Sequence, residues 1–126
     1  MGPWYRKRGE VLRGFDELTR GRVPDVGQRL TLVRRAQVHN FLPADAQIVW
    51  VVSGRVRLSV FDAEGAETAW AVLESGECFH PGTRIDEVPP AVAEAIEDVE
   101  LVVLDAASLD AHGDIAESFE ALEITW

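Results

Sequence analysis

The 126-residue sequence has one cysteine, Cys78, one lysine, Lys7, and no Lys or Arg at all after Arg84. A lone cysteine excludes an internal disulfide framework and fits a reducing compartment. No apolar run approaches the roughly 20 residues that a membrane-spanning helix needs. The opening Met-Gly-Pro-Trp-Tyr-Arg-Lys-Arg has charges with no apolar stretch behind them, unlike a secretory leader, so a cytoplasmic location is expected. No serine sits in a Gly-x-Ser-x-Gly setting, so a nucleophilic elbow has no support. The scarcity of base also limits the partners. With a net charge of −10 the chain as a whole is not built to grip nucleic acid, which needs clustered Lys and Arg.

The charge that is present is polarised. Residues 1–35 carry nine of the twelve basic groups against four acids, while the stretch from Asp86 onward carries twelve acids. A basic beginning can therefore meet an acidic end, within one chain or between two, which leaves monomer and dimer both open. The dense carboxylates Glu94, Glu97, Asp98 and Glu100 read as the solvent side of strands and a turn, because no Asp-rich loop closed by glycine accompanies them.

At 47% apolar and 27% charged, the chain is long enough for one domain with a substantial core. Val11, Leu12, Phe15 and Leu18 form one helical stripe, which Gly21 and Pro24 stop before a turn at Pro24-Asp25-Val26-Gly27. Period-two alternation then takes over. Leu30, Leu32 and Val38 predict a strand with an irregularity near Arg34 to Ala36, and Gln47–Val52 predicts a strand buried on both faces. Val56, Leu58 and Val60 alternate with Arg55, Arg57 and Ser59, and Asp62–Gly65 closes a hairpin. Thr68–Leu73, Ala91–Ile96 and Glu100–Leu104 complete the set. Gly54, Gly65 and Gly76 stand eleven residues apart, a rhythm of short strands and turns that predicts an antiparallel sandwich, roll or barrel. Leu109, His112, Ile115, Ala116, Phe119 and Leu122 follow helical spacing, interrupted at Gly113, with Asp114–Glu117 in capping-box form. Trp50 and Trp70 are expected in the core, and Trp4 and Trp126 tucked down or at an interface.

Asp45-Ala-Gln-Ile-Val-Trp-Val-Val-Ser-Gly54-Arg-Val-Arg-Leu, then Gly65, then Val72-Leu-Glu-Ser-Gly76-Glu77-Cys-Phe79, resembles the cyclic-nucleotide-binding β-roll of the Crp/Fnr regulators. The likeness covers roughly residues 10–120. It implies an all-β fold, an antiparallel double-stranded, jelly-roll-like β-roll with short helices at both ends: a helical arm at 1–24, the roll at 28–105 and short helices at 106–126. It also implies a non-catalytic sensor or regulatory role, with an unknown protein partner or small-molecule effector. DNA contact is not expected from this chain alone, because no basic recognition helix is present; the chain reads either as a natural single-domain protein, which the Met1 start favours, or as a fragment whose DNA-binding output domain has been removed. In that family a phosphate cassette follows the Ser-Gly-Glu-x-Phe turn. Its Gly-Glu pair would fall near His80-Pro81 here, and its Arg-Ser-Ala on Pro89-Pro90-Ala91. Proline offers no charge, hydroxyl or N–H to a phosphate, so cAMP and cGMP are not expected to bind in the family's manner. The groups left near the cassette are Glu77, His80 and Arg84, which are the candidate ligand-binding residues.

Two other readings compete. Cys78 and His80, two apart on a strand, would share a face and resemble a metal or haem pair, as in the carbon-monoxide sensors of the same family, or the vacated pocket would take an apolar ligand instead. Gly76–Gly82 also resembles the second motif of cupins, but a metal-dependent cupin enzyme needs a His-x-His pair that is missing. No enzyme activity and no cofactor are expected.

Overall fold

The computed structural model describes residues 5–61, 63–81 and 91–122. Its strands are β1 (Tyr5–Arg6), β2 (Gln28–Leu32), β3 (Ala46–Ser53), β4 (Val56–Phe61), β5 (Glu67–Leu73), β6 (Cys78–Phe79), β7 (Ala91–Ala95) and β8 (Val99–Asp105). They form two antiparallel sheets, ordered β1-β6-β3-β8-β2 and β5-β4-β7. Four short helices flank them: α1 (Arg8–Gly14), α2 (Glu17–Val26), α3 (Ala106–Ala111) and α4 (Gly113–Ala121). This is the all-β roll with helices at both ends that the sequence implied.

The continuous apolar run of β3 has a direct cause. Its sheet is covered on both faces, so alternate residues enter two separate clusters. Val49 and Val51 face the space between the sheets, with Leu58, Leu73, Phe79 and Leu101. Ile48 and Trp50 face the helices, with Phe15, Val102, Ile115 and Phe119. β4 is covered on its inner face by the first cluster, and its outer Arg57 pairs with Glu94 on β7 at 2.8 Å. Hence its sequence alternates and that of β3 does not. Ile115 and Phe119 are fully buried by their own chain, each contributing about 2–3 kcal/mol of apolar burial.

Three turns rest on glycine. Gly54, Gly65 and Gly76 have φ of +81°, +85° and +86°, the left-handed region that side chains resist. At Gly54 a second constraint is added, since a Cβ there would lie 2.4 Å from the Asp98 carbonyl oxygen.

Several local expectations are corrected. The N-terminal helix is two helices, split at Phe15-Asp16, where Asp16 caps α2 by accepting from Thr19 N–H at 2.7 Å. Helix α2 runs through Pro24 to Val26, so the turn expected there is helix. Leu12 and Leu18 leave the stripe and are 40% and 71% exposed, while Val11 and Phe15 are buried. Val38 belongs not to a strand but to a 3-10 turn at Val38–Phe41, after a reversal at Arg35 (φ +76°). Asp114 does not cap α4; its carboxylate pairs with Arg22. Trp70 lies on β5, an edge of the smaller sheet, and is 40% exposed rather than in the core. Trp4 and Trp126 lie outside the described residues.

The polarised charge closes the chain on itself. Arg22 pairs with Asp114, Arg29 with Glu100 at 2.9 Å, and the buried Arg6 donates Nε–H to the Leu122 carbonyl at 2.6 Å. The exposed pairs are worth up to about 1 kcal/mol each. Glu94 and Glu97 hold Arg57 and Arg55, as solvent-side carboxylates would. Among the described residues, no helix is long and apolar enough to cross a membrane.

Candidate functional site

The segment that the resemblance singled out begins where β5 ends. The chain turns through Glu74 to Glu77, with Glu77 N–H donating to the Glu74 carbonyl at 3.0 Å and Gly76 at positive φ. Gly76 N–H donates to the Val51 carbonyl, and Val51 N–H returns to the Glu77 carbonyl, at 2.8 and 2.9 Å. The turn is thereby fastened to the middle of the larger sheet, and β6 leaves it pairing with both β3 and β1.

Glu77 is almost wholly buried. One carboxylate oxygen accepts from Glu74 N–H at 2.6 Å and from the Lys7 ammonium at 2.7 Å; the other accepts from Arg8 N–H at 2.6 Å. Lys7 also donates to the Val72 carbonyl. A buried carboxylate needs such a set of donors to offset its desolvation. The carboxylate of this candidate thus fastens the N-terminal segment to the β5–β6 turn.

Strand β6 ends at Phe79, so Cys78 is on the strand and His80 is the residue just past it. Cys78 sits opposite Trp50 in the helix-side cluster, fully buried. Burial raises its thiol above the ordinary range. His80 is buried, and desolvation pushes its ring down to about 4, so it is neutral at pH 7. Among the described residues, no group of three or more His, Cys, Asp or Glu side chains comes together as a metal site. Arg84, Pro89 and Pro90 lie outside the described residues.

The structure adds one residue that sequence reasoning missed. His39, from the 3-10 turn, lies with its ring centroid 6.2 Å from that of Phe79 and hydrogen-bonds the Pro81 backbone. Its burial also lowers its pKa. Two neutral imidazoles, 41 positions apart, thus adjoin the start of the cassette segment. Tertiary packing of the 3-10 turn against Phe79 brings them there, and no local motif marks His39.

A family model for the cyclic nucleotide-binding domain matches residues 42–112. No curated protein matches the sequence significantly. Among solved structures, the catabolite activator protein of Thermus thermophilus is similar, at 25% identity and TM-score 0.63, covering 90% of this chain and 56% of that one. The N-terminal domain of a transcriptional regulator from Streptomyces coelicolor A3(2) is similar at 19% identity and TM-score 0.62, covering 92% and 86%. CprK complexed with OCPA is similar at 14% identity and TM-score 0.62, covering 86% of this chain. The chain spans 51% of the CprK length.

Proposed function

The chain belongs to the cyclic nucleotide-binding domain family, and on that premise we propose that it is a non-catalytic sensor domain of Crp/Fnr type whose effector is not cAMP or cGMP. The observation that carries this reading is the pair His80-Pro81 at the opening of the cassette. Family resemblance places a Gly-Glu pair there, with free N–H groups for a cyclic phosphate and a carboxylate for the ribose. Here Pro81 has no N–H, and the His80 ring is buried and neutral at pH 7. Farther along the segment, Pro89 and Pro90 stand where an Arg and a Ser would pair with phosphate oxygens. Arg84 is the one cation of the segment, and Asp86 and Glu87 beside it oppose an anion.

One neighbour is the N-terminal domain of a transcriptional regulator and another a catabolite activator protein, and the reading assigns to this chain a sensing role of that kind. It acts through a protein partner or a small effector, and this chain alone does not bind duplex DNA tightly. A haem or metal reading through Cys78 and His80 is weaker, since Cys78 is held as a thiol among Trp50, Val102 and Ile48.

Thermal unfolding with cAMP and with cGMP tests the proposal. A nucleotide at a hundred times its dissociation constant would add about 2.7 kcal/mol. The expected result is no shift with either nucleotide at millimolar concentration. A saturable shift at micromolar nucleotide would mean that Arg84 or another group has taken over the phosphate, and the reading would fall.

A further inference from the structure

Residues 5–8 form a strap with three attachments. Tyr5 and Arg6 pair through the backbone with Phe79 and Cys78 of β6. The Lys7 ammonium and the Arg8 N–H donate to the Glu77 carboxylate at 2.7 and 2.6 Å. The Arg6 side chain reaches the end of α4, its Nε–H donating to the Leu122 carbonyl at 2.6 Å. Glu77 and Arg6 are both buried. A buried charge that is partly displaced loses its partner without regaining water, so each of these two attachments is closer to made-or-broken than to gradual.

The last turn of α4 depends on the strap. Ile115 and Phe119 bury the body of the helix in the helix-side cluster. Its last turn, however, has no basic residue, and the exposed Glu117 and Glu120 stand near the negative end of the helix dipole. Arg6 is a cation brought to that end from 116 positions away. The Leu122 side chain also packs on α1, where a Cβ at Gly14 would run into it. The N-terminal segment thus closes α4, and the β5–β6 turn holds that segment through Glu77.

We infer that the strap is a conformational coupling device: while Glu77 is clasped, Arg6 closes the last turn of α4, and displacement of the β5–β6 turn releases it. On the sensor reading proposed above, this is how an occupant of the cassette is felt at α4; the coupling itself rests on contacts of the ligand-free chain and not on that reading. Amide hydrogen exchange of the full chain, followed by NMR under native conditions, tests it. Glu77→Gln is expected to speed exchange of the Leu122 N–H, which donates to the Phe119 carbonyl, by at least about tenfold. Lys7→Met, the milder variant, should speed it at least about threefold and carries the test if Glu77→Gln does not fold. The His112 N–H, which donates to the Leu109 carbonyl at the end of α3, is the control and should keep its rate. It separates release of one turn from a general loss of stability. Arg6→Gln should speed Leu122 by itself, and in that background Glu77→Gln or Lys7→Met should add less than about twofold. Because coupling is reciprocal, Arg6→Gln should also speed the Glu74 N–H that donates to Glu77. An unchanged Leu122 rate in Lys7→Met, an equal acceleration at His112 and Leu122, or an undiminished effect of Lys7→Met in the Arg6→Gln background would each overturn the inference.

Discussion

Replacing Glu77 by alanine should destabilise the ligand-free protein severely. The carboxylate is 3% exposed and accepts from two backbone N–H groups, of Glu74 and Arg8, and from the Lys7 ammonium, all at 2.6–2.7 Å. Hydrogen bonds to a charged group contribute about 1.5–3 kcal/mol each when the partner cannot be replaced by water. The Arg8 N–H and the Lys7 side chain, 44% exposed, recover hydration after the substitution, so they count at the low end. The Glu74 N–H is left inside the turn and counts in full. Glu77→Ala should therefore cost about 3–4 kcal/mol, a large share of the ~5–15 kcal/mol that holds a domain together. Glu77→Gln keeps the shape but turns one acceptor into a donor against Arg8 or Glu74, at about 2 kcal/mol; Lys7→Met should cost about 1 kcal/mol. Urea unfolding measures all three, and the double variant gives the Lys7–Glu77 coupling. A loss below about 1 kcal/mol for Glu77→Ala, at an unchanged urea slope, would refute the reasoning.

Other consequences are equally direct. Gly54→Ala should cost about 3 kcal/mol or more, because the left-handed φ is compounded by a Cβ 2.4 Å from the Asp98 oxygen; Gly65→Ala, with the same φ and open space around it, should cost only about 1–2 kcal/mol. Equal losses in urea unfolding would show that the contact with Asp98 does not matter. Stability should fall as pH drops from 6.5 toward 4, because the unfolded chain protonates His80 near 6.5 and the folded one only near 4. Discounted for solvent screening, His80 accounts for about 1–2 kcal/mol of that loss, with His39 adding in the same direction. Unfolding midpoints at pH 7 and pH 4.8, with and without His80→Gln, check this; a variant with the same decline as wild type would remove His80 as its cause. The Cys78 thiol should resist alkylation by iodoacetamide at pH 8 in the native protein and react once urea unfolds it, which mass spectrometry reads; native labelling within minutes would contradict its burial.

The roll was legible wherever a local physical demand left a mark on adjacent residues. The alternation around Leu58 reports a sheet covered on one face, the unbroken run around Trp50 a sheet covered on both. The three glycines report three left-handed turns. What escaped were features decided at a distance. Pro24 looks like a stop, yet α2 continues because Val23 is fully buried beneath it and a Cβ at Gly27 would press on Val103; packing overrides propensity there. Asp114 has the form of a cap, but Arg22 on another helix takes its carboxylate. Trp70 has strand character without burial because β5 is an edge. At the candidate site, Glu77 was visible as part of a motif and its donors were not, since Lys7 and Arg8 lie some seventy positions away. His39 carried no signal at all.

The bond from Arg6 to the Leu122 carbonyl joins positions 116 apart, so the described path from β1 to the last helix nearly closes on itself. The β4–β5 hairpin around Gly65 is a natural alternative cut, as its residues Glu64 to Thr68 are exposed and a Cβ at Gly65 meets nothing. A circular permutant that links the present ends by a short Gly-Ser spacer and begins at Gly65 should keep both apolar clusters and both sheets. Its far-ultraviolet dichroism should match the parent, with a melting temperature lower only by what the loosened hairpin contributes. A permutant that fails to fold would show that the β4–β5 connection must stay closed even with the Arg6–Leu122 bond in place.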